Sequence, residues 1–271
     1  MISQRDRVLT YVVLTAFAVF AFYPLLYVLS AALTPEGQAA SLIPSSFVPH
    51  NFVEAWEIGR FGQYLRTSAM VSAFVVVVAT AFSVLSGYAF GTMRFRGASV
   101  LFYVMLLGIM VPTEAIVVPL FFDLREIGLT NTFWALVLPQ TAQSVAFGTF
   151  WMRAYFRSSP RSLVEAARLD GAGSFRTLWS VLLPMGRPAV VTMIVLVFMW
   201  TWNEFLIPLV MVTDESLRTA PLGLAFFQGQ YTSGLSLLAA GAVIVAVPVV
   251  VVYLFLQRHF IRGMVDGAIK E

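Results

Sequence analysis

Polar side chains that interrupt long apolar stretches are the residues of this sequence with chemistry to offer. Glu114 follows Pro112, Glu204 follows Asn203, and Gln140 and Gln143 stand three residues apart in another apolar run. Such groups are costly to place in hydrocarbon, so they mark a pathway, a partner or a hydrogen bond between helices. Trp200, Trp202 and Asn203 set aromatic faces beside an amide, and that combination suits a sugar ring, which has polar edges and an apolar face. Plainer roles compete: Glu204 can tie two helices together, and the two tryptophans can anchor at a membrane surface or face lipid. Glu114 and Glu204 belong to different stretches and have no nucleophile beside them, so acid–base catalysis is unsupported. The chain has no cysteine and two distant histidines, His50 and His259. That excludes disulfides, thiol nucleophiles and a histidine-based metal cluster. No stretch reads Gly, four residues, Gly-Lys-Ser/Thr, so the chain carries no phosphate-binding loop of that type.

The elements that would position these residues are membrane helices. Of 271 residues, 59% are hydrophobic and 11% charged, against about 25% charged in an ordinary soluble domain. About 20 apolar residues cross a bilayer core. Six stretches qualify: Val8 to Leu33, Tyr64 to Gly91, Ser99 to Phe122, Phe133 to Phe156, Pro188 to Val212 and Leu235 to Leu256. The first follows Arg5 and Arg7 as a signal peptide would, but its apolar run is too long for one and reads as a retained span. The expected fold is all-α, a single polytopic domain over residues 1–271. Pro24, Pro112, Pro119, Pro139, Pro208 and Pro248 lie in or beside spans, where neighbours can relieve the broken hydrogen bonds or a kink can serve as a hinge.

Basic residues orient the bundle, because cytoplasmic loops are enriched in Lys and Arg. With the amino terminus inside, thirteen of them fall on that side: Arg5, Arg7, Arg94, Arg96, Arg153, Arg157, Arg161, Arg168, Arg176, Arg187, Arg258, Arg262 and Lys270. Only Arg60, Arg66, Arg125 and Arg218 fall outside, so both termini are expected in the cytoplasm. The first outer connection, Thr34 to Gln63, holds Pro35, Pro44 and Pro49 and either touches an external partner or merely covers helix ends.

The inner connection, residues 157–187, is more specific. Ser159 can cap a short helix, Pro160 suits its first position, and Ser162 with Glu165 offers an alternative capping box. Leu163, Val164, Ala166, Ala167 and Leu169 give it an apolar face, and Gly171 can take the left-handed conformation that ends it. A second short helix is expected from Ser174, with Phe175, Leu178 and Val181 on one side and Pro184 and Pro188 turning into the fifth span. An alanine-rich helix edged by Glu165, Arg161, Arg168 and Asp170 suits a groove in another protein. The plain alternative is a tie between two spans.

Glu165-Ala166-Ala167, three residues, Gly171, nine residues, then Val181-Leu-Leu183-Pro184 resembles the EAA loop of binding-protein-dependent ABC importer permeases. The family pattern has Ile where Val181 stands. The Asp170-Gly-Ala172 continuation, Trp202-Asn-Glu-Phe-Leu-Ile-Pro-Leu209, Pro221-Leu-Gly-Leu224, Phe227-Gln-Gly-Gln-Tyr231 and the tail Gln257 to Lys270 resemble the carbohydrate branch, in particular the second permease of maltose-type systems. Glu271 stands where that branch usually ends in glycine.

The resemblance implies a type I importer permease of a bacterial cytoplasmic membrane, six-spanning and multi-pass. It is not an enzyme, and it binds no cofactor itself. Two separate ATPase subunits would use ATP and Mg. The further partners implied are a second homologous permease, a periplasmic or extracellular solute-binding protein and membrane lipid, with no nucleic acid. Glu165, Ala166, Ala167, Asp170, Gly171, Leu183 and Pro184 would couple the ATPase to the spans. Trp202, Asn203, Glu204 and Glu114 are the pathway candidates. Alternatives are an ion-coupled secondary transporter using Glu114 and Glu204, or a permease for a polyol or glycerol phosphate.

Overall fold

Helices account for nearly all of the chain. The computed structural model describes residues 4–44, 46–230 and 234–268, apart from the side chains of residue 161 and of residues beyond 257. Tyr231 and the side chains of the Arg258–Lys270 tail therefore lie outside the described residues. In order the elements are α1 (Gln4–Ala32), α2 (His50–Ile58), α3 (Phe61–Thr92), α4 (Ala98–Met110), α5 (Thr113–Glu126), α6 (Phe133–Ser158), α7 (Arg161–Leu169), α8 (Ser174–Thr177), a π turn (Leu178–Leu182), α9 (Leu183–Met185), α10 (Arg187–Asn203), α11 (Leu206–Met211), a 3-10 turn (Glu215–Leu217), α12 (Ala220–Gln230) and α13 (Leu235–Ala268). No strand occurs among the described residues.

Among the described residues three helices are long and apolar enough to cross a membrane alone: α1, α3 and Leu235–Gln257 of α13. The other expected spans differ in instructive ways. The stretch Ser99 to Phe122 is not one helix but α4 and α5, bent by 99°. Val111 is extended (φ −78°, ψ 120°), as a residue preceding proline tends to be, and Pro112 is extended too (φ −65°, ψ 141°). The stretch Pro188 to Val212 is also divided. α10 stops at Asn203, Glu204 is extended (φ −64°, ψ 125°), and α11 begins two residues later. Pro208 explains the break, since its ring would clash with the carbonyl of Glu204 in a continuous helix. α6 has the length to span, at 26 residues. Gln140, Thr141, Gln143 and Ser144 dilute its apolar character.

The chain forms two compact units. In the first, residues 1–63 with 223–248, Asn51 donates from Nδ2 to the carbonyls of Ala32 (2.9 Å) and Thr34 (2.8 Å), fixing α2 against the end of α1. Phe61 stacks edge-on against Phe227 at 5.4 Å. Apart from Ser30, Ala31 and Ala32 at its end, α1 buries none of its residues within the protein. That surface calls for lipid or another protein.

The second unit, residues 64–222 with 249–271, is built on α6. A Cβ on Gly87 would lie 2.5 Å from Met152 Cβ, and one on Gly91 would lie 2.8 Å from Phe156 Cβ. Two glycines one turn apart therefore let α3 and α6 approach backbone to backbone, the packing that membrane helices favour. Gly148 of α6 repeats the device, being seated against Ser83 and Met193. Arg153 lies over the Phe102 ring at 3.6 Å and joins α6 to α4.

Candidate functional site

The connection of residues 157–187 forms the two short helices expected, with altered details. α7 ends in a Schellman motif: the amide of Ala172 donates to Ala167 O (2.9 Å) and that of Gly171 to Arg168 O (3.0 Å). Gly171 has φ +75°, and a methyl group added there would meet nothing within 4 Å, so backbone conformation alone demands glycine. The expected N-terminal caps do not form. Pro160 is the capping position rather than the first helical residue, and no side chain caps α7. Ser159 instead ends α6 and donates to Tyr155 O at 3.2 Å. Helix α8 widens into a π turn before Pro184, which has no amide to donate and would crowd the carbonyl of Ser180 in a regular helix. That turn buries Leu178 while leaving Phe175 exposed, so these two do not share a face as the spacing suggested.

The segment presents itself outward. Glu165, Ala166, Asp170, Gly171 and Pro184 are exposed, Leu183 is half-buried, and Ala167 turns in against the protein. Leu169 is 89% exposed and Phe175 69%. Its root is firmly tied. The Tyr155 hydroxyl of α6 donates to Leu182 O (3.1 Å), and Trp151 Nε1 donates to Ala189 O (3.0 Å) at the start of α10. Gly186 is pressed against the Tyr155 ring. The axis through Ser174–Met185 turns by 80° into α10.

Helices α6 and α10 also wall a cavity of about 580 Å³ together with the α4–α5 break. Its polar lining is Thr113, Gln140, Gln143, Ser144, Thr201, Asn203 and Glu204, and its aromatic lining is Phe147 and Trp200. These two rings meet edge to face at 4.6 Å. Gln143 Nε2 donates to Thr113 Oγ1 at 3.0 Å, across the break. Gln140 is buried and donates to Leu136 O at 2.8 Å. Its Oε1 is buried and meets no donor among the described residues. Glu204 Oε1 accepts the amide of Ile207 at 3.0 Å and so caps the first turn of α11. Asn203 is exposed, and its Nδ2 donates to Met199 O at 2.7 Å.

Of the four pathway candidates, the structure brings Asn203 and Glu204 to the cavity. Trp202 is buried beside Phe198, with ring centroids 5.5 Å apart, and is not among the lining residues. Side chains two positions apart on a helix are turned from each other by about 200°, so Trp200 and Trp202 cannot face the same way. Glu114 is exposed in the first turn of α5 and also stands outside the lining. Thr113, Ser144 and Phe147 were not anticipated. The spacing of Gln140 with Ser144 and of Gln143 with Phe147, each four residues apart, was the available signal. Asn131 was missed as well. It has φ +57°, and its Oδ1 accepts the amides of Thr213 (3.0 Å) and Asp214 (2.8 Å).

A family model described as binding-protein-dependent transport system inner membrane component matches residues 79–266, a range that contains both the exposed segment and every cavity-lining residue. The chain belongs to that family. This inner membrane component is similar along its length to a probable ABC transporter permease protein, YurM, of Bacillus subtilis, with 34% identity covering 99% of this chain and 93% of the relative. It is 32% identical to the arabinooligosaccharides transport system permease protein AraQ of Halalkalibacterium halodurans, each chain being covered in full. Among solved structures it resembles a bacterial ABC transporter involved in the import of the acidic polysaccharide alginate. The TM-score is 0.80 at 25% identity, covering 96% of this chain and 99% of the other. As a permease component it is a membrane protein and not an enzyme.

Proposed function

We propose that this permease admits a carbohydrate to the cytoplasm by alternating access, driven by ATP hydrolysis in separate subunits. One observation carries the reading: α6 holds the root of the connection bearing the exposed Glu165–Gly171 segment through Tyr155 on Leu182 O and is joined to α10 through Trp151 on Ala189 O, and the same two helices wall the polar and aromatic cavity. Displacement of the segment is thereby transmitted to the cavity walls through packed helices that resist bending.

In this account a pair of ATPase subunits, using ATP and Mg, grips Glu165, Ala166, Asp170 and Gly171, with Leu183 and Pro184 at the trailing end. A second homologous permease completes the pathway, and an external solute-binding protein delivers the substrate. Both termini face the cytoplasm, as the basic residues predict. Asn203 and Glu204, with Gln140 and Gln143, exchange hydrogen bonds with substrate hydroxyls, while Trp200 and Phe147 offer a face to the sugar ring. The carbohydrate class is supported by that lining and by the named substrate of the arabinooligosaccharide relative.

The test is ATP hydrolysis by the reconstituted complex with its binding protein, measured over a panel of neutral oligosaccharides, polyols and glycerol phosphates. Stimulation by an oligosaccharide is the expected result. Stimulation by a glycerol phosphate alone would replace the carbohydrate assignment, and uptake driven by an ion gradient without ATP would overturn the mechanism.

A further inference from the structure

A second cavity, a cleft of about 740 Å³, opens where α3 and α6 end beside α7. Arg94, Arg157 and Arg168 line it, against a single acidic residue, Glu165. Among the described residues no ion pair or hydrogen bond engages the three guanidinium groups. Arg153, one turn before Arg157, is already occupied over Phe102 and does not line the cleft. The three arginines outnumber the one carboxylate, and an anion entering the cleft would offset their excess positive charge.

The surroundings indicate where the anion comes from. Met93, which lines the cleft, and Phe95 flank Arg94, and each is 42% exposed. Val100 and Leu101, in the first turn of α4, are exposed by 66% and 53%. Cationic heads beside open apolar side chains match the headgroup boundary of a bilayer, where basic pockets between helices take phosphate headgroups. Arginine forks suit phosphate oxygens better than a point charge does.

We propose that this cleft binds the phosphate group of an anionic phospholipid through Arg94, Arg157 and Arg168. The ligand then braces α7 against the end of α3, so the lipid sits beside the segment that the ATPase moves. The proposal rests on the reading that this end of the bundle faces the cytoplasm, and its test separates the two.

The test uses the full transporter complex in nanodiscs of phosphatidylcholine with increasing phosphatidylglycerol, followed by native mass spectrometry of the lipid retained. The double variant Arg94→Gln/Arg157→Gln is compared with the parent and with Arg94→Lys/Arg157→Lys. An arginine at an anionic surface contributes about fivefold in affinity, so retention should fall about 30-fold in the glutamine variant. The lysine variant should keep much of it and controls for folding. Equal phosphatidylglycerol retention by parent and glutamine variant would overturn the proposal. Displacement of the lipid by millimolar inorganic phosphate would also overturn it, assigning the cleft to a free anion. Undiminished lipid with loss of the ATPase subunit would do so in favour of a protein carboxylate. ATPase recovery from the parent complex, scored in the same preparations, reports independently on the coupling reading.

Discussion

The side-chain oxygen of Asn131 accepts the backbone amide of Asp214 at 2.8 Å, joining the turn after α5 to the end of α11. The amide of Asn131 in turn donates to Met211 O at 2.8 Å. One residue in a left-handed conformation thus holds the two broken helices that border the cavity. Asn131→Ala removes both acceptor contacts, each worth about 0.5–1.5 kcal/mol. The purified complex should show a lower midpoint of thermal unfolding, while Asn131→Asp, which keeps the acceptor, should stay near the parent. Equal midpoints for Ala and Asp would contradict this role.

Gly171 gives a sharper case because space and conformation point in opposite directions. A side chain there meets nothing, yet φ is +75°. Gly171→Ala should therefore disturb the turn by about 1–2 kcal/mol, and Gly171→Val by more. Membrane insertion should be unaffected, with transport and substrate-stimulated ATP hydrolysis reduced together. Asn, which tolerates this region, should be the mildest replacement. Alanine and asparagine behaving alike would remove the conformational explanation.

Gly87→Leu should act by a different route. Its Cβ would meet Met152 Cβ at 2.5 Å and the amide of Arg153 at 3.0 Å, so α3 and α6 must separate. Overpacking of this kind is destabilising by about 1–3 kcal/mol or more. The expected outcome is a lower yield of monodisperse complex. A normal yield and stability would mean that the two helices do not meet through this glycine.

Substitutions at the cavity should affect transport and leave assembly alone. Gln140→Leu removes a polar side chain from the cavity lining and should raise the substrate concentration needed for half-maximal uptake. Glu204→Gln keeps a carbonyl to accept the Ile207 amide, so the break before α11 should survive while the charge is lost. Trp202→Phe, at a position buried beside Phe198, should change uptake little compared with Trp200→Ala. The reverse ranking of the two tryptophans would contradict the cavity assignment.

Much of the helical fold was legible because the bilayer imposes a simple rule on composition: each of the six apolar stretches is largely helical among the described residues, and two of them are interrupted. The departures share one cause. Pro112 and Pro208 end helices that hydropathy alone would continue, and both breaks fall at the cavity. At the site, Gly171 was legible because a left-handed residue leaves a signature in residue type. Ser159 misled because a serine before a proline reads as a cap whichever carbonyl its hydroxyl finds. Trp202 and Glu114 stand outside the cavity lining, a distinction that needs helical phase and cannot be read from chemical type. Asn131 gave no local signal, since its partners are more than eighty residues away.

The central claim is that the knuckle between α6 and α10 meets the motor. The chain contains no cysteine, so Leu169→Cys introduces a single thiol at a position that is 89% exposed. The decisive measurement is disulfide crosslinking of this variant to a scan of single cysteines on the ATPase subunit, in membranes, with and without ATP. The account predicts a crosslinked permease–ATPase product whose yield changes with nucleotide. No product at any ATPase position, together with labelling of the thiol by a membrane-impermeant reagent from outside the cell, would contradict it.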